Sequence, residues 1–144
     1  MSASDQVSAA GIRKELIAAG LEVFRSRGDE IALAERPREN LIMDSGVVLR
    51  VGDPLEVRVA FYVRKVDFPN DDQERLFEHA RRKAAQAVSE GFVEVTTKVT
   101  PVPDPGNHLR TLDTFYSVVY AKGSPAVGDA ITLLKRALSF EKDS

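Results

Sequence analysis

The imidazoles come first, because a catalytic or metal centre would most readily use them. The chain has two histidines, His79 and His108. His79 lies in the charged run Glu78 to Lys83, which reads as the solvated face of a helix. His108 follows a proline-rich stretch, with Asp104 and Asp113 on either side and Ser117 beyond. Ser, His and Asp are the types a nucleophilic triad needs, yet their spacing matches no motif that would position them. No pair of His, Asp or Glu has metal-site spacing, and with 0 Cys there is no thiolate ligand or nucleophile. No glycine-rich loop leads into a helix with the Lys-Ser/Thr ending that phosphate binding requires. The expectation is therefore no catalytic residue, no metal and no cofactor.

The carboxylates and cations have structural readings too. Asp71 and Asp72 are adjacent, and adjacent residues on a helix do not face each other. They read as helix-capping residues rather than as an acid/base pair. Arg27-Gly28-Asp29-Glu30 reads as a hairpin turn, although its first three residues match the tripeptide that integrins recognise. Arg81-Arg82-Lys83, with Arg75 on the same helix, is the densest basic spot. It is a solvated face or a site for an anion or acidic partner.

These residues need elements to hold them. A helix is expected from Asp5 to Ala19, with Ile12, Leu16 and Ala19 on one stripe and Gly20 as its left-handed cap. Leu21 to Ser26 and Ile31 to Arg36 read as short strands, and Pro37 to Asn40 as a loop. Leu41 to Asp44 is a weak strand interrupted near Gly46, and Val47 to Val51 leads into a turn at Gly52-Asp53-Pro54. Leu55 to Lys65 alternates strictly. Leu55, Val57, Val59, Phe61 and Val63 face one way, and Glu56, Arg58, Ala60, Tyr62 and Arg64 the other.

A second helix begins at Asn70 or Asp71, with Gln73 or Glu74 completing a capping box. Leu76, Phe77, Ala80, Ala84, Ala87 and Val88 form its apolar stripe, and Gly91 stops it. Val93, Val95, Thr97 and Val99 alternate along a strand. Thr100 to Asn107, with three prolines and a glycine, reads as an irregular connector. Leu109 to Ala121 is a second long strand. A last helix starts at Ser124-Pro125 and carries Val127, Ile131, Leu134 and Leu138 on its apolar face. Residues 1–4 and 141–144 are expected to fray, with Phe140 at the start of that tail.

The outward side of the two long strands is the candidate binding surface. Arg58, Tyr62 and Arg64 are of types enriched at binding hot spots. In Leu109 to Ala121, Phe115, Val119 and Ala121 alternate with Tyr116, Val118 and Tyr120, so both faces need cover. A helix of the same chain can supply it, and so can a partner surface on Tyr116 and Tyr120. A two-fold homodimer is the simplest such partner.

The chain has 144 residues, of which 43% are hydrophobic and 29% charged, as in a single globular domain of α+β type spanning 1–144. A net charge of −2 makes nucleic acid an unlikely partner. Residues 1–5 lack the basic and apolar segments of a signal peptide, and no run approaches the ~20 apolar residues that span a bilayer. A cytoplasmic protein with no membrane partner is expected.

The order α-β-β-β(-β)-α-β-β-α, with an antiparallel sheet, resembles the type III secretion chaperone-like fold, including YbjN-type putative regulators. The resemblance covers nearly the whole chain and rests on element order and hairpin placement. It implies a small non-enzymatic homodimer that binds another protein. The functional expectation is thus a protein-binding module of chaperone, adaptor or regulator type. A domain responsive to a small ligand or nucleotide is the alternative, and an unrecognised enzyme a third reading. A convergent polar pocket would favour the latter two, and a flat exposed apolar patch the first.

Overall fold

A computed structural model describes residues 9–140. The elements run α1 (Ala9–Ala18), β1 (Val23–Arg27), β2 (Glu30–Arg38), β3 (Leu41–Arg50), β4 (Leu55–Arg64), α2 (Gln73–Lys83), α3 (Ala85–Ser89), β5 (Val93–Asp104), β6 (Asn107–Ser124) and α4 (Val127–Leu138). A single 3-10 turn, Lys65–Asp67, follows β4. The six strands form one antiparallel sheet in the order β1-β2-β3-β4-β6-β5. The α+β class and the strand-helix order expected from the sequence are therefore present, and four strands precede the second helix. No helix among the described residues is long and apolar enough to cross a membrane.

The chain divides into two compact units. One holds the described residues up to Val59 together with Ala121–Phe140, and the other holds Ala60–Tyr120. In the first, α1 packs on β1 and β2, and α4 on β3. Ile12 and Leu16 of α1, Ile31 and Leu33 of β2, Val47 and Leu49 of β3, and Leu134 of α4 are fully buried. The hairpin turn at Gly28-Asp29 joins Arg27 to Glu30, with Gly28 at φ +60° as the first central residue, where a two-residue turn needs a positive φ. The Arg27-Gly28-Asp29 tripeptide is thus a hairpin tip. Its Asp29 carboxylate lies 3.5 Å from the Arg50 guanidinium.

Strand β3 differs from its expected form. Gly46 does not end a strand. It takes φ +79° inside β3, where the Asp44 carboxylate accepts its N–H at 2.9 Å. The Ser45 hydroxyl next to it donates to the Leu33 carbonyl at 2.7 Å and accepts the Val47 N–H at 3.1 Å. The β2–β3 register shifts between Ala32 and Ala34, opposite this spot. A bulge with its polar groups satisfied lets the strand bend and continue, so Leu41–Arg50 is one element. Pro37 lies in β2, not in a loop, and the turn is confined to Glu39-Asn40.

The second unit is built on the far half of β4, α2, α3, β5 and most of β6. Helix α2 is capped by Asp72, whose side chain accepts the Arg75 N–H at 2.9 Å. Neither Asn70 nor Asp71 is the cap, and the third helical position is Arg75, so no capping box closes. The apolar stripe Leu76, Phe77, Ala80, Ala84 and Ala87 is buried as expected, whereas Val88 is exposed. The helix breaks at Ala84, where α3 begins. Phe92, just after Gly91, is also buried.

Thr100 to Asn107 is not an irregular connector. β5 runs through Pro101 and Pro103 to Asp104, and β6 starts at Asn107, so Pro105-Gly106 is a hairpin turn. The Asp104 carboxylate accepts the Gly106 N–H at 2.8 Å and fixes that turn. Proline lacks the N–H a central strand needs, but β5 is the last strand of the sheet and tolerates it. At the other end of the chain, Phe140 is buried rather than frayed. Asp5–Ser8, expected to open α1, and residues 1–4 and 141–144 lie outside the described residues.

Candidate functional site

The strict alternation of β4 fixes what each side of the second unit presents. Phe61 and Val63 point to the helix-covered side and are buried. On β6 the same side carries Tyr116, Val118 and Tyr120. Phe61 meets Tyr120 edge-on, with ring centroids 5.9 Å apart and planes at 79°. Phe77 of α2 meets Tyr116 in the same way, at 5.5 Å and 78°. Edge-to-face rings at these distances are favourable packing. The chain's own helix therefore covers the tyrosines that were to need a partner. Tyr120 is buried and Tyr116 half-buried, so the binding surface expected on them is a core.

The opposite side is partly exposed, with Asp113 and Val119 of β6 buried on it. Tyr62 of β4 and Phe115 of β6 stack there at 5.0 Å with planes 13° apart. Tyr62 is 44% exposed. The Lys83 ammonium, from the end of α2, donates to the Tyr62 carbonyl at 3.1 Å and lies 5.9 Å from the tyrosine ring. Arg64, two residues along β4, is half-exposed and pairs with Asp113 of β6 at 2.7 Å. A stacked, partly exposed aromatic pair thus has the Lys83 ammonium beside it and the Arg64–Asp113 ion pair two residues along the strands. The fifth expected residue, Arg58, belongs to the other unit and pairs with Glu56 on its own strand.

Asp113 is the polar anchor of this arrangement. Burial of its carboxyl favours the neutral form. That is outweighed by hydrogen bonds from Arg64 and from the backbone N–H groups of Thr114 at 2.7 Å and Val66 at 3.2 Å. Together they hold Asp113 below the usual carboxylate range. A depressed pKa in the folded state means stability that is complete above the unfolded value and lost as pH falls through the folded one. We expect acid to destabilise the wild type more steeply than Asp113→Asn, whose side chain does not titrate. Urea melts at neutral pH and at the foot of the carboxylate range would show the two stabilities converging on acidification. Parallel losses would mean that Asp113 is not a titrating anchor.

The remaining chemistry-bearing residues are dispersed. His79 is not on a solvated face: its ring stacks on Phe68 at 4.1 Å, and Nε2 lies 2.8 Å from the Asp71 carboxylate. Asp71 is thus a histidine partner, not a cap. His108 is exposed near the β5–β6 turn. The basic run on α2 is divided: Arg81 binds Glu94 of β5 through two contacts of 2.8 and 3.1 Å, Lys83 goes to Tyr62, and Arg82 is exposed. Among the described residues no three of His, Asp and Glu gather as metal ligands.

Depressions among the described residues of the first unit include the following two. One, of about 430 Å³, lies along α4 between Lys122, Pro125, Leu133 and Arg136. The other, of about 310 Å³, is polar and lined by Asp29, Arg50, Asp53 and Glu56. Sequence reasoning missed Phe115 and Lys83, which complete the exposed cluster around Tyr62. The Arg/Tyr composition of β4 pointed to the face, but nothing in the sequence shows which β6 residue lies beside Tyr62.

Comparison with models of protein families, with curated proteins and with solved structures finds no match to this chain.

Proposed function

We propose that this chain is a non-catalytic protein-binding module of chaperone, adaptor or regulator type, acting as a small dimer. The observation that carries the reading is the Tyr62–Phe115 stack, exposed at Tyr62 and half-buried at Phe115, with Lys83 beside the tyrosine ring. Aromatic side chains give a large contact area at low entropic cost, and Tyr and Arg are enriched at hot spots. The stack pre-orders both rings, so little rotamer freedom remains to be lost on binding. The Lys83 ammonium beside the stack suits a partner segment that sets an apolar side chain beside an acidic one. A first helix leading into antiparallel strands, then helix, hairpin and last helix, is the order of the chaperone-like arrangement, from which the fourth strand before α2 departs, since that group has about three.

Tyr62→Ala tests the reading. The side chain is half out of the core, so stability should fall by about 1 kcal/mol. Affinity for a partner captured from the native cell should fall by tenfold or more, as for a hot-spot aromatic of about 2 kcal/mol. Calorimetry on the purified pair gives both constants. Equal affinities for wild type and Tyr62→Ala would remove this face from the function.

A further inference from the structure

The two edges of the sheet differ in a way that bears on the dimer. β1 is five residues long and carries Arg25 and Arg27, a short charged edge of the kind that resists pairing. β5 is twelve residues long, and its first part, Val93 to Thr100, has no proline and consists largely of Val and Thr. Val93, Val95 and Val99 are 63%, 44% and 47% exposed. A long, exposed, β-branched edge strand is a template for another strand. Pro101 and Pro103 remove N–H groups beyond it and confine such pairing to Val93–Thr100.

We propose that this edge pairs with the same edge of a second copy, antiparallel, about a two-fold axis at Thr96. The proposal deepens the dimer part of the functional reading above and rests on it. The sequence of β5 is self-complementary in this one register. Val93 stands opposite Val99 of the second copy, Val95 opposite Thr97, and Glu94 opposite Lys98, with each pair repeated by the two-fold. Opposite residues of an antiparallel ladder share a face, so the valines line one side and two ion pairs the other. The neighbouring registers lose this match. An axis at Glu94 or Lys98 sets like charges against each other. An axis at Val95 or Thr97 sets each charge against an uncharged residue, and a one-residue slip mixes the two faces. Glu94 is already oriented by Arg81, and its carboxylate has further acceptor sites for an incoming ammonium.

Analytical ultracentrifugation of the full chain across the micromolar range is the test. The wild type should reach a dimer. Lys98→Glu leaves the Arg81–Glu94 pair intact but sets two carboxylates opposite each other, and it should weaken the dimer at least about tenfold. Thr97→Pro should abolish it, and it has the same strand parity as Pro101 and Pro103, which β5 accommodates. Circular dichroism confirms that each variant is folded. Glu94→Lys should also be monomeric alone, yet mixing it with Lys98→Glu should restore a dimer, because every cross-strand pair is then opposite in charge. If Glu94→Lys does not fold, the other two variants decide. A wild type that stays monomeric overturns the pairing together with the dimer reading. A dimer that Lys98→Glu and Thr97→Pro leave unchanged overturns the β5 edge alone, since the copies then meet elsewhere.

Discussion

Phe61→Ala should cost about 3–5 kcal/mol of folding stability, the range for deleting a buried aromatic. Phe61 lies on β4 with 1% of its surface exposed, and its ring packs edge-on against Tyr120. Truncation removes the transfer free energy of the ring and leaves a space that the strand backbone cannot close, because β4 is held in register with its neighbours. The edge-to-face contact with Tyr120 is lost as well, worth about 0.5–1.5 kcal/mol within that total. Chemical denaturation should show the midpoint fall with little change in slope, since the exposed area on unfolding is nearly unchanged. A loss under about 1 kcal/mol would mean that the inward face of β4 is assigned to the wrong side.

How far this face was legible follows from what alternation can encode. Leu55 to Val63 repeats with period two, and a one-residue slip would bury both Arg58 and Arg64, so inward and outward sides could be read directly. The structure buries all five inward residues. The stripe of α2 was legible for the same reason, at helical period. Its cap was less so, because Asn70-Asp71-Asp72 offers three side chains of capping type and local preference does not choose among them.

Other features depend on neighbours that are distant in sequence. Thr100 to Asn107 read as a connector because proline disfavours a strand, a rule that lapses at an edge. Whether β5 is an edge is decided by β6 inserting between it and β4, and no local signal reports that order. Gly46 read as a break because its bulge is stabilised by Leu33 on the adjacent strand. The Tyr62–Phe115 stack and the Arg64–Asp113 pair join β4 to β6 across about fifty residues of chain. The tyrosines of β6 were misassigned in turn. Their two-sided apolar pattern showed that cover was needed, and only the packing of Phe77 on Tyr116 shows that α2 provides it.

That last point reverses the expected behaviour of one substitution. With Tyr120 at a dimer contact, Tyr120→Glu would leave a folded monomer. With Tyr120 4% exposed beside Phe61, it should instead unfold the protein. Burial already pushes the Tyr120 hydroxyl above its usual pKa, with Glu94 raising it further and Arg81 opposing. A carboxyl in the same place would meet the same desolvation, and Arg81 is engaged by Glu94. The loss of the aromatic ring alone costs about 3–5 kcal/mol. At neutral pH the carboxyl must also be neutralised or left charged in the core, and each unit by which its pKa is raised adds about 1.4 kcal/mol. The total reaches the whole stability of a typical domain, about 5–15 kcal/mol. The sign of the pH dependence is distinctive. A raised carboxyl pKa makes the deficit largest above the folded-state value and smallest below the unfolded one near 4.3. Tyr120→Glu should thus regain stability relative to wild type as pH falls, whereas Tyr120→Phe should stay within about 1.5 kcal/mol of wild type at every pH. Thermal melts of the three chains between neutral and mildly acidic pH make the comparison. A folded, monomeric Tyr120→Glu chain with wild-type stability would return Tyr120 to the surface and its cover to a second copy.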